Sequence, residues 1–358
     1  MRERRPRGRR RERSIRGVSL RGWGGVASMA VACALTVVFA LVLPLTQRGV
    51  GGGGHGDAST GLGAGGVAAG VQAAADDCDP DVPGKEPERS VSRSGSDSGG
   101  AVRDIEDRGY VSVGVDQNSY RWGYRDPNST GSSSELEGFD IDLAHEIAKE
   151  ILGSPDKIRF KAIPTNQRIP AIQRGDVDMV VRTMTISCDR LKDVDFSTAY
   201  FQTGQQVLAP KASEIDGFDD TLGGKRVCSA AGSTAETALK QGLVEKKIPD
   251  DTDISTTVPN QLDCLVRLQL GEVDAVVTDG ALAASQAAQD PTVQLKGEPF
   301  TEEYYGVAMK KGSDDLVRRV NEVLEDYRKP GGGWQKSYDR WLKTALGASE
   351  GPPAPKYK

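Results

Sequence analysis

Histidine is nearly absent from this chain of 358 residues, which contains only His55 and His145. Few residues can therefore supply the histidine of a Ser/His or Cys/His catalytic pair. Five cysteines are present, but none has the Cys-x-x-Cys spacing that is typical of zinc sites. The glycine pattern at Gly61–Gly66 has no strand before it and no helix after it, so it does not indicate a dinucleotide. We predict no catalytic residues, no metal and no cofactor.

Positive charge is concentrated in the first 21 residues, which contain ten arginines and two glutamates. Because the formal net charge of the chain is −5, the +8 of this arm leaves −13 for the residues after Arg21. A nucleic-acid-binding protein needs a basic patch on its folded part. The charge distribution therefore predicts no nucleic-acid partner.

Residues 22–47 contain no charged residue and are rich in Val, Ala and Leu. A basic segment before an apolar run is typical of an export signal, with the arginines on the cytoplasmic side. Since the run is long enough to span a bilayer, we predict a basic cytoplasmic arm at 1–21 and a signal or anchor segment at 22–47. The protein would then be extracytoplasmic and attached to the cell membrane. Cleavage to a secreted form and lipidation at Cys33 are the alternatives. The Gly- and Ala-rich residues 48–100 predict a flexible tether.

A short pattern occurs twice in the chain. Gly175–Thr183 reads GDVDMVVRT, and Gly271–Asp279 reads GEVDAVVTD, 96 positions later. Each copy follows an apolar helical segment and contains a β-branched run, which predicts a helix, a glycine turn and a buried strand. Strands that alternate with helices predict an α/β architecture, in which ligands bind beyond the carboxyl ends of strands.

The residues after these two strands have complementary charge. Thr183, Thr185 and Arg190 end or follow the first copy, and the second copy ends on Asp279. An arginine fork and hydroxyl groups suit a carboxylate, whereas a carboxylate suits an ammonium group. If the copies lie in two facing lobes, the side chains form an amino-acid site. The alternative is a surface arginine and two threonines in an ordinary turn.

Two further stretches can contribute to such a site. The alternating run Tyr110–Asp116 predicts a strand that brings Asp116 and Tyr120 to its carboxyl end. Ser233 and Glu236 have the spacing of a capping box, so free N–H groups at this helix start can bind an anion. An ordinary capped helix would show the same pattern.

The cysteines of an exported chain are expected to form disulfides. Cys228 and Cys264 both fall in the second lobe, on a strand end and a neighbouring helix, and we predict that they pair. Cys78 and Cys188 then remain as a second pair, which would pin the tether to the first lobe.

Seven stretches together resemble family 3 of the extracellular solute-binding proteins, the polar amino-acid receptors of ABC importers. The resemblance implies the two-lobed type II periplasmic-binding-protein fold with two hinge-crossing strands, with lobe 1 at 101–207 and 304–347 and lobe 2 at 208–303. The Pro-rich residues 348–358 predict a disordered tail. The seven stretches are GFDIDLA at 138–144, RIPAIQRGDVD at 168–178, TMTISCDR at 183–190, DFSTAYF at 195–201, GKRVCSAAGSTAE at 224–236, VDAVVTDGALA at 273–283 and YGVAMKKGS at 305–313.

The resemblance also implies which residues bind the ligand. The stretch QRIPAIQRG is similar to the glutamate/aspartate-binding branch, in which an arginine at the place of Arg168 meets a side-chain carboxylate. Ala230 stands where the glutamine-binding branch has a lysine. Glutamate is therefore the expected ligand, and the alternative for Arg168 is a helix-start arginine that packs outward. The resemblance implies that Arg190, Thr183 and Thr185 bind the α-carboxylate of the ligand, and that Asp279 binds its α-ammonium group. Ser233 and Thr234 would close on the ligand from the second lobe.

Three functional hypotheses follow. The first is a monomeric, non-enzymatic receptor that hands an amino acid to an ABC permease in the membrane. The second is a sensor of the same fold that signals to a separate membrane kinase, since no kinase domain is fused to the chain. The third is a dehydratase-like enzyme, because a few dehydratases share this fold; turnover of prephenate-like acids would identify it.

Overall fold

A computed structural model describes residues 78–126 and 136–358 of the chain. The predicted basic arm, the anchor segment, Cys33 and most of the tether lie outside the described residues. Within the described ranges, no helix combines the length and the hydropathy needed to cross a membrane.

The described residues alternate between helices and strands, as the sequence predicts. The α-helices are α1 (Gly100–Arg108), α2 (Phe139–Leu152), α3 (Arg168–Gln173), α4 (Cys188–Leu191), α5 (Thr234–Val244), α6 (Gln261–Gln269), α7 (Gly280–Gln289), α8 (Asp314–Tyr327), α9 (Gly333–Ser337) and α10 (Lys343–Leu346). The strands are β1 (Val111–Val115), β2 (Asn118–Ser119), β3 (Gly123–Arg125), β4 (Leu136–Glu137), β5 (Ile158–Ala162), β6 (Met179–Val180), β7 (Val194–Phe196), β8 (Phe201–Thr203), β9 (Gln205–Pro210), β10 (Arg226–Ala230), β11 (Asp253–Val258), β12 (Ala275–Asp279), β13 (Val293–Lys296), β14 (Glu303–Tyr305) and β15 (Ala308–Lys310).

Two five-stranded sheets have the same plan. The first has the order β5-β1-β6-β15-β7, and the second has the order β11-β10-β12-β9-β13. In each sheet the second strand pairs in parallel with its two neighbours, and the fourth pairs antiparallel with its neighbours. The prediction of an α/β fold with two lobes is therefore confirmed.

The repeated sequence pattern forms the same local structure in both lobes. α3 leads into β6 in the first copy, and α6 leads into β12 in the second. The turn glycines have nearly the same left-handed backbone, with φ of 72° at Gly175 and 70° at Gly271. Residues with a side chain rarely adopt this conformation, which explains why both copies begin with glycine.

Two antiparallel strands connect the lobes. β8 leaves the first lobe and pairs with β14, which returns to it, with Glu303 opposite Thr203 and Tyr305 opposite Phe201. Gly204 follows β8 at a point where a Cβ atom would lie 2.0 Å from the carbonyl oxygen of Thr301. Only glycine allows the two connections to approach so closely.

An aromatic cluster packs beside these hinge strands. The ring of Trp122 makes edge-on contacts with Phe201 and Tyr305, at centroid distances of 4.9 Å and 5.8 Å. The Trp122 Nε1 donates to Ser285 Oγ in α7 at 3.1 Å, so the cluster reaches the second lobe. Buried rings of this kind hold the hinge residues in fixed positions.

The segments at 78–99 and 348–358 pack against each other, which differs from the predicted flexible tether and disordered tail. Ser90 and Tyr357 form a β-bridge, and Lys356 Nζ contacts Glu88 Oε1 at 2.5 Å. The Ser90 hydroxyl donates to the carbonyl of Phe196 at 2.7 Å, at the end of β7. Composition predicts a loose tail, but each segment supplies hydrogen-bond partners for the other.

Both predicted disulfides are confirmed. Cys228 and Cys264 join β10 to α6, with their Cα atoms 5.6 Å apart. Cys78 and Cys188 are also bonded, with a Cα–Cα distance of 5.5 Å. Since Cys188 is the first residue of α4, the second bridge attaches the predicted tether, at Cys78, to the helix that carries Arg190.

Candidate functional site

Charged side chains from both sheets meet beside the hinge strands. In the first lobe, Arg182 and Thr183 follow β6, and Arg190 lies in α4. In the second lobe, Asp279 is the last residue of β12, while Glu303 begins the hinge strand β14. This is the carboxyl edge at which α/β sheets bind ligands.

Arg190 has no acidic partner within ion-pair distance among the described residues. Its Nη1 donates to the carbonyl of Thr185 at 2.7 Å, and its Nη2 donates to the carbonyl of Gly232 at 3.2 Å. Burial lowers the pKa of Arg190, and the charges of Glu303 and Asp279 oppose this shift. Because Gly232 precedes α5, this guanidinium contacts both lobes.

Arg168 points inward and is 3% exposed, so the alternative of an outward-packing arginine is wrong. Its Nε donates to the carbonyl of Thr165 at 2.9 Å, and its Nη1 donates to the carbonyl of Arg182 at 3.3 Å. Burial, followed by the charges of Arg190 and Arg182, holds the pKa of Arg168 well below its ordinary value. No carboxylate among the described residues pairs with it, and a carboxylate from a ligand would stabilise its charge.

Asp279 and Glu303 are a pair of buried carboxylates, each 6% exposed. The Gln205 amide nitrogen donates to Asp279 Oδ1 and lies 3.0 Å from Glu303 Oε1. The Tyr305 hydroxyl donates to Asp279 Oδ2 at 2.5 Å. Burial first, and then the charge of Glu303, raise the pKa of Asp279 to about 7, although the bonds from Tyr305 and Gln205 oppose the shift.

Threonine hydroxyls from both lobes donate to one oxygen of Glu303. Thr185 Oγ1 is 2.6 Å and Thr234 Oγ1 is 3.0 Å from Glu303 Oε2. The hydroxyl of Ser233 accepts the N–H of Glu236 at 3.1 Å, and Glu236 Oε2 accepts from Gly232 N at 2.7 Å, so the predicted helix cap is present. The structure therefore brings Thr185 and Thr234 together through a residue that the sequence did not indicate.

Thr183 adopts a strained left-handed backbone, with a φ of 42°. Its N–H donates to Asp140 Oδ2 at 3.0 Å, and the Tyr200 hydroxyl donates to Asp140 Oδ1 at 2.9 Å. Burial raises the pKa of Asp140 to about 7. Strain of this kind is concentrated at binding sites, where neighbouring contacts maintain it.

Asp116 lies at the end of β1, but its oxygens are engaged within the protein. Oδ1 accepts the N–H groups of Gln117 and Asn118 at 2.8 Å and 3.0 Å. Oδ2 accepts from Ser119 Oγ at 2.8 Å and pairs with Arg182 Nη2 at 2.9 Å. The carboxylate has little capacity left for a ligand.

Tyr120 is also separate from the charged cluster. Its ring packs edge-on against Tyr124 at 5.2 Å, and the guanidinium of Arg121 lies 5.0 Å from its centroid. A very small crevice beside Tyr120 is lined by polar residues of α7, including Ser285 and Gln286. The structure does not bring Tyr120 into contact with Arg168, Arg190 or Asp279.

Four residues of the site were missed by sequence reasoning. Arg182 could have been found, because it follows the repeated strand at the position where the second copy has Thr278. Gln205 and Glu303 lie on the two connections between the lobes, where no local pattern marks them. Asn260, which accepts from Arg182 Nη2 at 3.2 Å, precedes a helix of the second lobe.

Two cavities lie near the hinge strands and the junction of the lobes. One of about 160 Å³ opens beside Asp116, Pro164 and Asn260, where the two lobes meet. A larger cavity of about 640 Å³ borders the hinge strands and the C-terminal helices, with Trp334 and Tyr338 in its lining. The larger cavity contains none of the predicted site residues, so its size does not mark it as the ligand site.

The charged groups are not arranged as a metal centre. Within residues 78–126 and 136–358, no group of three or more His, Cys, Asp or Glu side chains could hold a metal ion. His145 lies on α2, and its Nδ1 is 2.8 Å from the carbonyl of Pro155. The cluster offers charges and hydrogen bonds of both signs, which suit an organic ion.

Two α/β lobes, two antiparallel connections and charged side chains from both lobes define a two-lobed ligand-binding protein. The chain belongs to family 3 of the bacterial extracellular solute-binding proteins, whose sequence profile matches residues 111–344. The resemblance noted from the sequence is therefore confirmed.

Named relatives are similar over most of their length. The ABC transporter glutamine-binding protein GlnH of Bacillus subtilis (strain 168) is 36% identical, over 67% of this chain and 83% of the relative. The glutamate-binding protein GluB of Corynebacterium glutamicum is 29% identical, over 61% of this chain and 74% of the relative.

Solved structures have a similar fold. An ancestral arginine-binding protein bound to glutamine is 36% identical, with a TM-score of 0.57, over 67% of this chain and 99% of the other. The ancestral amino acid-binding protein AncCDT-1, described as a precursor of cyclohexadienyl dehydratase, is 33% identical, with a TM-score of 0.59, over 68% and 100% of the two chains.

Proposed function

We propose that this protein is an extracytoplasmic receptor that binds an amino acid between its lobes and delivers it to an ABC permease. The observation that carries the proposal is a set of four charged side chains that form no ion pair with any described residue. Two are guanidinium groups, the buried Arg168 and the half-buried Arg190, and two are the buried carboxylates Asp279 and Glu303. An isolated charge in a protein interior is costly, and a ligand with charges of both signs would compensate it. Relatives that are named amino-acid-binding proteins support this role.

The α-carboxylate of the ligand would bind Arg190, and Thr183 would donate to its oxygens. Thr185 would also donate to the ligand, because its single O–H would turn from Glu303 Oε2 to a ligand oxygen. Arg190 is suited to this role because an arginine fork binds a carboxylate through two parallel hydrogen bonds. Its present partners are main-chain carbonyls, which carry no charge to compete with a carboxylate. The α-ammonium would bind Asp279, while Ser233 and Thr234 at the start of α5 would close on the ligand from the second lobe.

We further propose that the ligand is an acidic amino acid, with glutamate as the first candidate. Arg168 is a second guanidinium that forms no ion pair with a described residue, and a second carboxylate is the group that it would bind. The ion pair with Arg182 neutralises Asp116, so the site offers no free carboxylate there for a basic side chain. Relatives include both glutamine-binding and glutamate-binding proteins, so the preference rests on Arg168 and not on similarity.

The proposed role is non-enzymatic, with residues 22–47 attaching the receptor to the outer face of the cell membrane. Isothermal titration calorimetry of the full-length protein against the twenty amino acids tests the ligand class. We expect binding of glutamate, and loss of all measurable binding in Arg190→Ala. Lys192→Ala is the matched control, because Lys192 is exposed two residues away and contacts Asp189 on the surface.

Retained affinity in Arg190→Ala would exclude the proposed carboxylate contact. Turnover of prephenate-like acids by the wild-type protein would contradict a non-enzymatic receptor. Unchanged uptake of the identified ligand after deletion of its ABC permease would contradict a role in transport and would favour a sensor.

A further inference from the structure

The side-chain amide of Gln205 lies among three acceptors. Its Nε2 is within hydrogen-bond distance of Asp279 Oδ1, of Glu303 Oε1 at 3.0 Å and of Thr234 Oγ1 at 3.1 Å. An amide nitrogen has two hydrogens, so it cannot donate to all three acceptors at once. The other polar atom of this amide, Gln205 Oε1, is buried and accepts no hydrogen bond from residues 78–126 or 136–358. An amide therefore fits this position poorly.

An ammonium group would fit the same position well. It carries three N–H donors and a full positive charge, so it could donate to both carboxylates and to the Thr234 hydroxyl. Asp279 and Glu303 form no ion pair with a basic residue in the described part of the chain, although each is 6% exposed. A cation between them would compensate two buried negative charges, whereas the amide compensates neither.

We infer that Glu303 is a second ligand-binding carboxylate, and that the Gln205 amide occupies the position that the ligand's ammonium group takes when it binds. This inference rests on the proposed function and adds to it a contact made by the hinge strand β14. The ligand ammonium would replace a hydrogen-bonded amide with a charge-paired group, and the amide would turn away. Because Glu303 also accepts from Thr185 and Thr234, the ammonium would be held where the two lobes meet.

The first test is the glutamate affinity of Glu303→Gln, measured by calorimetry on the full-length protein. The substitution keeps the size of the side chain and removes its charge. Loss of one member of a buried charge pair predicts a weakening of at least about 30-fold. The control is Glu302→Gln, because Glu302 is the exposed neighbour that accepts from Gln202 and Tyr304. We expect the affinity of the control to equal that of the wild type.

The second test is Gln205→Met, which removes the amide and keeps a side chain of similar length. In the wild type, the ligand ammonium must displace the Gln205 amide from Asp279 and Glu303 before it can bind them. In the variant, no hydrogen bond of this amide has to be broken. The glutamate affinity should therefore rise by about tenfold, the value of one hydrogen bond to a charged group. If these residues had a purely structural role, both variants would bind glutamate more weakly. A higher glutamate affinity of Gln205→Met therefore separates the two explanations. Thermal unfolding establishes that each variant is folded. If Glu303→Gln does not fold, the gain in affinity of Gln205→Met decides alone. If Gln205→Met does not fold, Gln205→Leu replaces it, because leucine also lacks the amide.

Glutamate affinities of Glu303→Gln and Gln205→Met that both equal the wild-type value, or that are both weaker, would overturn the inference while leaving the receptor role intact. A wild-type protein that binds none of the twenty amino acids would overturn the proposed function and this inference together.

Discussion

Arg182 and Asp116 form a buried ion pair, with Nη2 and Oδ2 2.9 Å apart and side chains that are 0% and 6% exposed. Arg182 also donates to Thr165 Oγ1 at 3.0 Å and to Asn260 Oδ1 at 3.2 Å. The pair therefore connects the ends of β1 and β6 to the second lobe. It explains why Asp116, at the end of a strand in the site, is not available to a ligand.

Asp116→Ala should destabilise the protein strongly, because Arg182 would remain buried without its counter-ion. Breaking such a pair typically costs about 3–5 kcal/mol in the free energy of unfolding. The double variant Asp116→Ala/Arg182→Met should lose much less, since no charge is then left uncompensated. Urea denaturation of both variants measures the difference, and equal losses would argue against a charge effect.

The stability of the protein should depend on pH through Asp279. The folded state raises the pKa of this carboxyl from 3.8 to about 7, mainly because it is buried. Between these pH values the folded protein holds a proton that the unfolded chain has released, so stability falls as the pH rises. Asp279→Asn should therefore be more stable than the wild type at pH 8, and the gain should disappear toward pH 4.

Asp140 is shifted in the same direction, so Asp279→Asn should keep part of the decline with pH. Denaturation midpoints at pH 4, 6 and 8 provide the measurement. The same variant should bind glutamate more weakly at pH 8, because its amide cannot pair with an ammonium group. A variant that is no more stable than the wild type at pH 8 would show that the Asp279 carboxyl is not destabilised by burial.

The repeated pattern made much of the fold predictable from the sequence. A glycine with φ near 70° begins each copy, and a β-branched run then forms a buried strand, which places Asp279 at a strand end. These features depend on residues that are close in the sequence, so composition and spacing indicate them. The cysteine pairs were predictable for a different reason, because few partners were available.

The hinge residues of the site were not predictable in this way. Gln205 and Glu303 are 98 positions apart and meet only because both connections between the lobes pass through one place. Neither residue lies in a periodic run or in a sequence motif that would indicate a binding site. The order at 348–358 was missed for a related reason, since the partners of this segment lie near Ser90, far away in the sequence.

Deleting residues 352–358 should lower stability, because this segment pairs with the residues around Ser90. The deletion removes the main-chain bonds of Ser90 with Lys356 and Lys358 and the contact of Lys356 with Glu88. A few exchanged hydrogen bonds predict a loss of roughly 1–3 kcal/mol in the free energy of unfolding. Lys358→Ala is the control, since it keeps the main chain. An unchanged denaturation midpoint would mean that the packed tail adds no stability.

Arg168→Ala should reduce the difference between the glutamate and glutamine affinities, chiefly because glutamate binds more weakly. In this variant the side-chain carboxylate of bound glutamate would still be removed from water but would have no guanidinium to pair with. Such a loss typically weakens binding by about 2–5 kcal/mol. Glutamine carries no side-chain charge, so its affinity should change much less. Arg174→Ala is the matched control, because Arg174 lies just after α3 and pairs with Asp176 on the surface. Calorimetry with both amino acids measures the two affinities. Undiminished glutamate affinity in Arg168→Ala would leave the acidic preference without support, even if the receptor binds another amino acid.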